Sequence, residues 1–370
     1  MKHLRIALIY NAYTDGAPES PGDQSGSRYL ALQMRRFART MHGLGHTVRV
    51  LPVTQDFTAF QHRLLEMKPD VVFNQYDDVV HGALYEMRVA ALVRILGFPL
   101  TGSPALGLAL TRYKHMSASL LAGLGIAIPP STALLEKIGD VDRRQWPFPL
   151  IVQPSQEHAG IGLERDSIVN TRKALRDKVR HILATYKQPA LVQAFLPGRE
   201  FNVGIVGGRK PRVLPLAEVD YSRLPAGIPQ MMSYAAKWEE QTVEYKNTSI
   251  VCPARVEPAL AQQIGEAALR AFRAVGGWGY GRVDMRLDEE GVPCVLEVNC
   301  NPLLDRGVGI ARSAQRAGIS FPELLQLIIR AAFDGPPFDL SMPSPVVTPR
   351  GSPQAAESLP AVGSPLPARA

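Results

Sequence analysis

One stretch constrains the fold more than any other: GRVDMRLDEEGVPCVLEVNCNP, from Gly281 to Pro302. VDMRLD and CVLEVN both alternate apolar and polar residues, and DEEG lies between them. Alternation on both sides of a Gly-containing break signals a β-hairpin, with Gly291 suited to a left-handed turn position. With the turn between Glu290 and Gly291, Val283 faces Val298, Met285 faces Leu296 and Leu287 faces Cys294. That face is apolar. On the other face Asp284 lies opposite Glu297, and Arg282 opposite Asn299. Directly opposed like charges are destabilising, unless a hard cation lies between them. Mg²⁺ takes oxygen ligands, commonly one or two carboxylates plus substrate phosphates. On pattern alone, a solvated face carrying two unrelated acids remains an equal alternative.

The chain of 370 residues is long enough for two or three domains with their own cores. Hydrophobic content of 46% and charged content of 20% are those of a soluble globular protein. MKHLRIALIYNAY reads as a first strand rather than a signal peptide. No apolar run approaches the roughly 20 residues of a membrane helix. Three cysteines, Cys252, Cys294 and Cys300, show no metal-ligand spacing and favour a reducing, cytoplasmic setting. A net charge of +7 suits anionic small molecules. There is no basic run with interleaved aromatics, so neither nucleic acid nor membrane is expected as a partner. Arg35, Arg36 and Arg39 read as the solvated face of a helix whose apolar stripe is Leu30, Met34, Phe37 and Met41.

Residues 1–108 alternate strand and helix, which predicts a small Rossmann-like parallel α/β domain. Residues 109–195 predict a helix over TRYKHMSASLLAGLG, then strands, a Gly-containing loop and a second helix. Residues 196–334 predict strands at 211–219, an irregular segment at 221–247, a helix at 256–276, the hairpin, and a helix near 321–333. From 335 to 370 nine prolines without periodicity predict a disordered or polyproline-like tail.

Four features upstream of the hairpin carry chemistry. Lys114 opens a helix. In QPSQEHAGIG, after the Gln153 strand end, Gly160 and Gly162 would let backbone N–H groups approach a phosphate. Glu200 follows a turn and suits a sugar hydroxyl. SYAAKW places Tyr234 and Lys237 in an irregular stretch suited to a lid.

In this order the motifs resemble the ATP-grasp superfamily, and within it the D-alanine–D-alanine ligases. The resemblance spans roughly residues 3–333 and is carried most specifically by GWGYGRVDMRLD and VLEVNCNP. FPLIVQPS, LPGREFNV, KHMSASLLAGLGIAIP and LGFPLTGS add to it. It implies an ATP-grasp fold of mixed α/β and α+β character behind the parallel N-terminal domain. It implies that Asp284, Glu297 and Asn299 hold two Mg²⁺ ions, with Mn²⁺ as an alternative, and that Arg282 stabilises the transferring phosphoryl group. Lys114 and Lys237 would contact the ATP phosphates. Gln193, Phe195 and Leu196 would lie against adenine, with backbone pairing over 193–196, and Glu200 against the ribose. Tyr234 and Lys237 would act from the lid. The implied chemistry joins a small-molecule carboxylate and an amine through an acylphosphate, and relatives are often homodimers.

Several positions depart from the ligase pattern. Gln153 stands for the usual lysine of the central strand, and Gln193 for an acid that meets the adenine amine. Ala159 replaces the loop serine, and Trp238 replaces the tyrosine after the lid lysine. NTSPG becomes Asn299-Cys300-Asn301-Pro302-Leu303, followed by LLDRGVG, so Leu303, Asp305 and Arg306 imply a reshaped acceptor pocket. Glu19 is a candidate for holding a substrate ammonium. A ligase for substrates other than the D-alanine pair is therefore expected. A true D-alanine–D-alanine ligase and a nucleotide-binding protein without turnover are the alternatives. His81 and His158 read as surface or loop histidines, and Cys300 as a small packing residue.

Overall fold

A computed structural model describes residues 2–11, 23–77 and 84–336. Glu19, His81 and the tail from 337 lie outside the described residues.

The chain begins as three parallel strands. β1 (Arg5–Asn11) lies between β2 (Thr47–Val53) and β3 (Val71–Gln75). α1 (Asp23–Gly43), α2 (Phe57–Met67) and α3 (Leu84–Ile95) follow the strands. β1 is central and buried at nearly every position, as expected for a parallel strand covered on both faces. α2 starts where Asp56 accepts a hydrogen bond from the Ala59 amide, and stops where Lys68 turns left-handed at φ 43°. The strand expected at FPLTG is reduced to one bridge, Val72 to Leu100.

α4 (Ala105–Arg112) and α5 (Lys114–Gly123) then replace the single helix expected over 111–125, because the backbone leaves helical geometry at Tyr113 (ψ 86°). The second sheet has the order β4-β7-β5-β6, built from β4 (Ala133–Leu135), β5 (Leu150–Pro154), β6 (Ile168–Val169) and β7 (Ala190–Ala194). α6 (Arg172–Thr185) covers it, burying Leu175, Val179 and Ile182.

The third sheet is antiparallel. β8 (Glu200–Gly207) pairs with the short β9 (Arg212–Val213) and with β10 (Ala217–Asp220), the strands expected at 211–219. α7 (Tyr234–Trp238) and α8 (Val243–Asn247) occupy the segment read as irregular, and β11 (Ser249–Val251) returns to β10. After α9 (Pro258–Ala274), β12 (Gly279–Leu287) and β13 (Pro293–Asn299) form the hairpin, with β12 against β8. α10 (Gly309–Arg316), which no pattern announced, and α11 (Phe321–Asp334) close the chain. α11 opens on a Ser320/Glu323 capping box.

The hairpin register is as expected for Arg282–Asn299, Val283–Val298 and Asp284–Glu297. Beyond Asp284 it slips: Met285 faces Val295 and Leu287 faces Pro293. A β-bulge inserts Leu296 as the extra residue. The bulge confines the expected pairing to the end that carries the charges.

Cores divide unevenly. The second sheet keeps its own core of Leu150, Val152, Val179, Ile182 and neighbours. The first and third sheets share theirs. Ala7 and Ile9 belong to the same cluster as Phe201, Phe272 and Val298, and Ile6 and Leu8 to that of Leu304 and Ile328. The third sheet and the parallel sheet are thus packed together, while the second sheet meets the cleft from its own core.

Candidate active site

β12, β13 and β8 place the charged face by register. Asp284 is opposite Glu297 on one side and Asn202 on the other. Arg282 grips Asp284 with two parallel hydrogen bonds, Nε to Oδ1 at 2.7 Å and Nη2 to Oδ2 at 2.8 Å. Asn202 donates to the same Oδ1 at 2.8 Å. Fork-on-carboxylate geometry fixes both side chains. Gly281 just before Arg282 is obligatory for packing. A Cβ there would lie 2.3 Å from the Phe272 ring.

Glu297 has different partners. Lys114 Nζ donates to its Oε1 at 3.2 Å, and His158 Nδ1 donates to the same oxygen at 2.6 Å. Burial alone would raise the Glu297 carboxyl, yet Lys114 and His158 hold it well below the usual carboxylate range. Burial and then the Lys114 charge push His158 down to about 4, so its imidazole is neutral. Lys114 is buried and also donates to the Glu157 carbonyl at 2.5 Å. It is therefore no solvated helix residue. Lys237 feels Arg282, Asp284, Glu297 and Glu200, and burial first, then Arg282, lowers its ammonium.

Glu200 is buried. Tyr221 donates to its Oε2 at 2.8 Å, and Arg286 lies 3.2 Å away. Burial raises its carboxyl against the pull of Arg286 and Tyr221. Arg286 also stacks over the Phe195 ring at 4.7 Å. Leu196 is buried. In the 193–196 segment the Ala194 and Phe195 amides donate to the Pro130 and Pro149 carbonyls, at 2.8 and 3.0 Å.

The opposite wall is the second sheet. Gln153 Nε2 donates to Gln193 Oε1 at 3.3 Å, and Gln193 Nε2 to Thr132 Oγ1 at 3.2 Å. The two departures from the ligase pattern are therefore one neutral, mutually bonded pair. The loop after β5 has left-handed residues at Ala159 (φ 57°), Gly160 (φ 83°) and Gly162 (φ 76°). It lies against the lid. A Cβ on Gly160 would sit 3.0 Å from the Tyr234 amide nitrogen. Trp238 Nε1 donates to the Ala159 carbonyl at 2.9 Å, and Arg165 pairs with Glu244 at 2.5 Å. Tyr234 thus lies on the lid beside the loop.

Past β13 the chain is fastened to the parallel sheet by polar contacts that sequence reading missed. Gln75 donates to the Tyr280 hydroxyl at 2.6 Å, Tyr280 to Asn301 Oδ1 at 2.7 Å, and Asn301 to the Tyr76 carbonyl at 2.8 Å. Leu303 is exposed at 36%, and Leu304 takes the buried place instead. Asp305 accepts from the Arg306 amide at 2.7 Å. Arg306 is drawn away to α1, where it donates to Thr40 at 2.9 Å. Cys300 is buried, and burial pushes its thiol up to about 11, as suits packing rather than nucleophilic attack. His158 was also missed. Its only signal was a histidine in a Gly-containing loop.

Among the described residues, no group of three His, Cys, Asp or Glu side chains is arranged to hold a metal ion unaided. Asp284, Glu297 and Asn299 carry oxygen donors on one face of the hairpin, the donor type that Mg²⁺ takes. No helix among the described residues is long and apolar enough to cross a membrane.

A parallel α/β unit, two antiparallel sheets and a charged cleft between them define an ATP-grasp enzyme, an ATP-dependent ligase that forms C–N bonds. The chain belongs to the D-alanine–D-alanine ligase family: residues 120–330 match the family model described as D-ala D-ala ligase C-terminus. It is 30% identical over 321 residues to a D-alanine–D-alanine ligase of Anaeromyxobacter sp. (strain Fw109-5), covering 84% of this chain and 94% of that one. It is also 30% identical over 262 residues to "Uncharacterized protein y4sG" of Sinorhizobium fredii (strain NBRC 101917 / NGR234), covering 71% of this chain and 74% of the other. The crystal structure of D-alanine–D-alanine ligase from Bacillus anthracis complexed with ATP superposes with a TM-score of 0.62 at 19% identity, covering 90% of this chain and 98% of that one. That likeness establishes the fold.

Proposed function

We propose that this chain binds ATP with Mg²⁺ and joins the carboxylate of one small molecule to the amine of another, on substrates other than a pair of D-alanines. The observation that carries this reading is the charged ribbon. Arg282 and Lys114, with Lys237 reaching in from the docked lid, converge around Asp284 and Glu297. Such a cluster suits an anionic triphosphate and its counter-ions.

In this reading Asp284, Glu297 and Asn299 would hold the ions. Bound there, Mg²⁺ would neutralise phosphate charge. Arg282 is already fixed by Asp284, so its guanidinium meets charge growing on the transferring phosphoryl group without reorganisation. Lys114 and Lys237 bind phosphate oxygens, and the loop from Gly160 to Gly162 covers them. Glu200 and Leu196 receive the nucleoside. A substrate carboxylate takes the γ-phosphoryl group to give an acylphosphate. The amine then displaces phosphate, leaving an amide. The lid excludes water, which would otherwise hydrolyse the acylphosphate. The relatives' names specify D-alanine. Ala159, Trp238 and Leu303 support different substrates here, because each alters the amino-acid end.

Glu297→Gln tests the reading. It keeps the shape and removes the charge that Lys114 and the ions need. Product formation should fall by about 10²-fold or more. Unchanged product formation would sink the ion-holding role.

A further inference from the structure

Where β13 ends, three buried polar side chains join the hairpin to the parallel sheet. Gln75 is the last residue of β3, Tyr280 lies in β12, and Asn301 follows β13. Burying three such groups together costs free energy unless each finds partners. Their bonds therefore decide what the cluster holds in place.

The direction of each bond follows from its partners. Asn301 Nδ2 donates to the Tyr76 carbonyl at 2.8 Å, which fixes Oδ1 as the other end of that carboxamide. Tyr280 lies 2.7 Å from this oxygen and must give it its one proton, because two bare acceptors at that distance would repel. The Tyr280 oxygen then accepts from Gln75 Nε2 at 2.6 Å. Nε2 also donates to the Asn74 carbonyl at 3.0 Å, and Gln75 Oε1 accepts from the Leu304 amide at 2.9 Å. Both carboxamides thus have oxygen and nitrogen assigned. The run holds the segment after β13 at two backbone points. One is Leu304, held directly. The other is Asn301, whose own amide donates to Asn299 Oδ1 at 3.0 Å.

We infer that Gln75, Tyr280 and Asn301 are positioning residues for Asn299: they seat the Asn301 amide, and that amide fixes the Asn299 carboxamide oxygen for a nucleotide-bound cation. The inference rests on the ion-holding reading of Asn299 and deepens it, because it gives the parallel sheet a part in the site. A carboxamide can present either its oxygen or its nitrogen. A bond from the Asn301 amide takes one lone pair of Oδ1, leaves the other, and settles which end is which. Hard cations such as Mg²⁺ take oxygen. Partners that orient a ligating side chain in this way typically change metal affinity by about tenfold or more when removed.

A calorimetric double-mutant cycle tests this. The probe is a non-hydrolysable ATP analogue saturated with Mn²⁺, titrated into the full chain. Tyr280→Phe keeps the ring and removes the middle link, and should weaken binding about tenfold. Asn299→Ala should weaken it too, while Lys114, Lys237, Asp284 and Glu297 stay in place and keep the residual binding measurable. Adding Tyr280→Phe to Asn299→Ala should weaken binding no further, because the side chain through which Tyr280 acts is gone. A general packing defect would instead cost as much in both backgrounds. Gln75→Met breaks the run at its other end. It should repeat the pattern, and it decides the matter if Tyr280→Phe does not fold. Equal losses in both backgrounds, no loss in either, or no loss from Asn299→Ala would overturn the positioning role. Failure of the wild-type chain to bind the metal-loaded analogue would count against the ligase reading itself, and the positioning role would fall with it.

Discussion

The cleft has two unlike walls. The ribbon wall of β12, β13 and β8 is crowded with charge, and nearly every charge has a named partner: Arg282 on Asp284, Lys114 and His158 on Glu297, Arg286 on Glu200. The wall from the second sheet is neutral where it might have been charged. Gln153 donates to Gln193, which in turn donates to Thr132. The ribbon wall also shares its core with the parallel sheet, while the second sheet has a core of its own. The difference teaches that charge here is kept in one rigid wall. In the other wall two neutral side chains satisfy each other, so neither leaves a buried charge unpaired.

The largest break in this comparison comes from Glu297→Gln, with its expected fall of about 10²-fold or more in product formation. Equal loss from Gln153→Ala, measured as ADP release, would mean that the walls do not divide the work as described. Next is Gly281→Ala. The new methyl meets Phe272 at 2.3 Å, and such overpacking costs about 1–3 kcal/mol. Thermal denaturation should show a lowered midpoint. No change would mean that the ribbon is less rigidly seated than its packing indicates.

The neutral wall makes a subtler prediction. Gln153→Lys alone should lower the apparent KM for ATP by adding a cation near phosphate. Gln153→Lys with Gln193→Glu should show coupling of about 1 kcal/mol in a double-mutant cycle, because the new charges can pair. Strict additivity would show that the two positions do not act as a pair. The smallest effect should come from the lid. The Arg165 guanidinium holds the Glu244 carboxyl below its usual value of 4.5. A carboxyl lowered on folding contributes stability above its unfolded value, and that contribution is lost as pH falls through the lowered value. Melting of the wild type should thus decline more steeply below about pH 4.5 than melting of Glu244→Gln. At neutral pH the variant should be cut by protease in the lid about two- to fivefold faster. Parallel melting curves would remove Glu244 from the lid contact.

Much of this was legible in the sequence, for identifiable reasons. Alternation in VDMRLD and CVLEVN fixes which side chains share a face, so the pairing of Asp284 with Glu297 could be read in advance. The bulge at Leu296 could not, because nothing in the local pattern distinguishes it from regular strand. α10 was hidden because its buried positions, Ile310, Ala311, Ser313 and Ala314, are mostly small residues. His158 and Arg112 were illegible for a different reason. Their partners, Glu297 and Glu86, lie far away in sequence, and only the packing of the loop and of α4 against the ribbon and α3 brings them together. The glutamine pair shows the same limit: each departure was visible, but not that they touch.

The most direct test of the central claim is incubation of the purified chain with ATP, Mg²⁺ and pooled amino acids, following ADP release and new masses together. The ligase reading predicts ADP release coupled to a product whose mass equals two pool members less one water. ATP binding with neither ADP nor product, across pools of amino acids and other small carboxylates and amines, would contradict it.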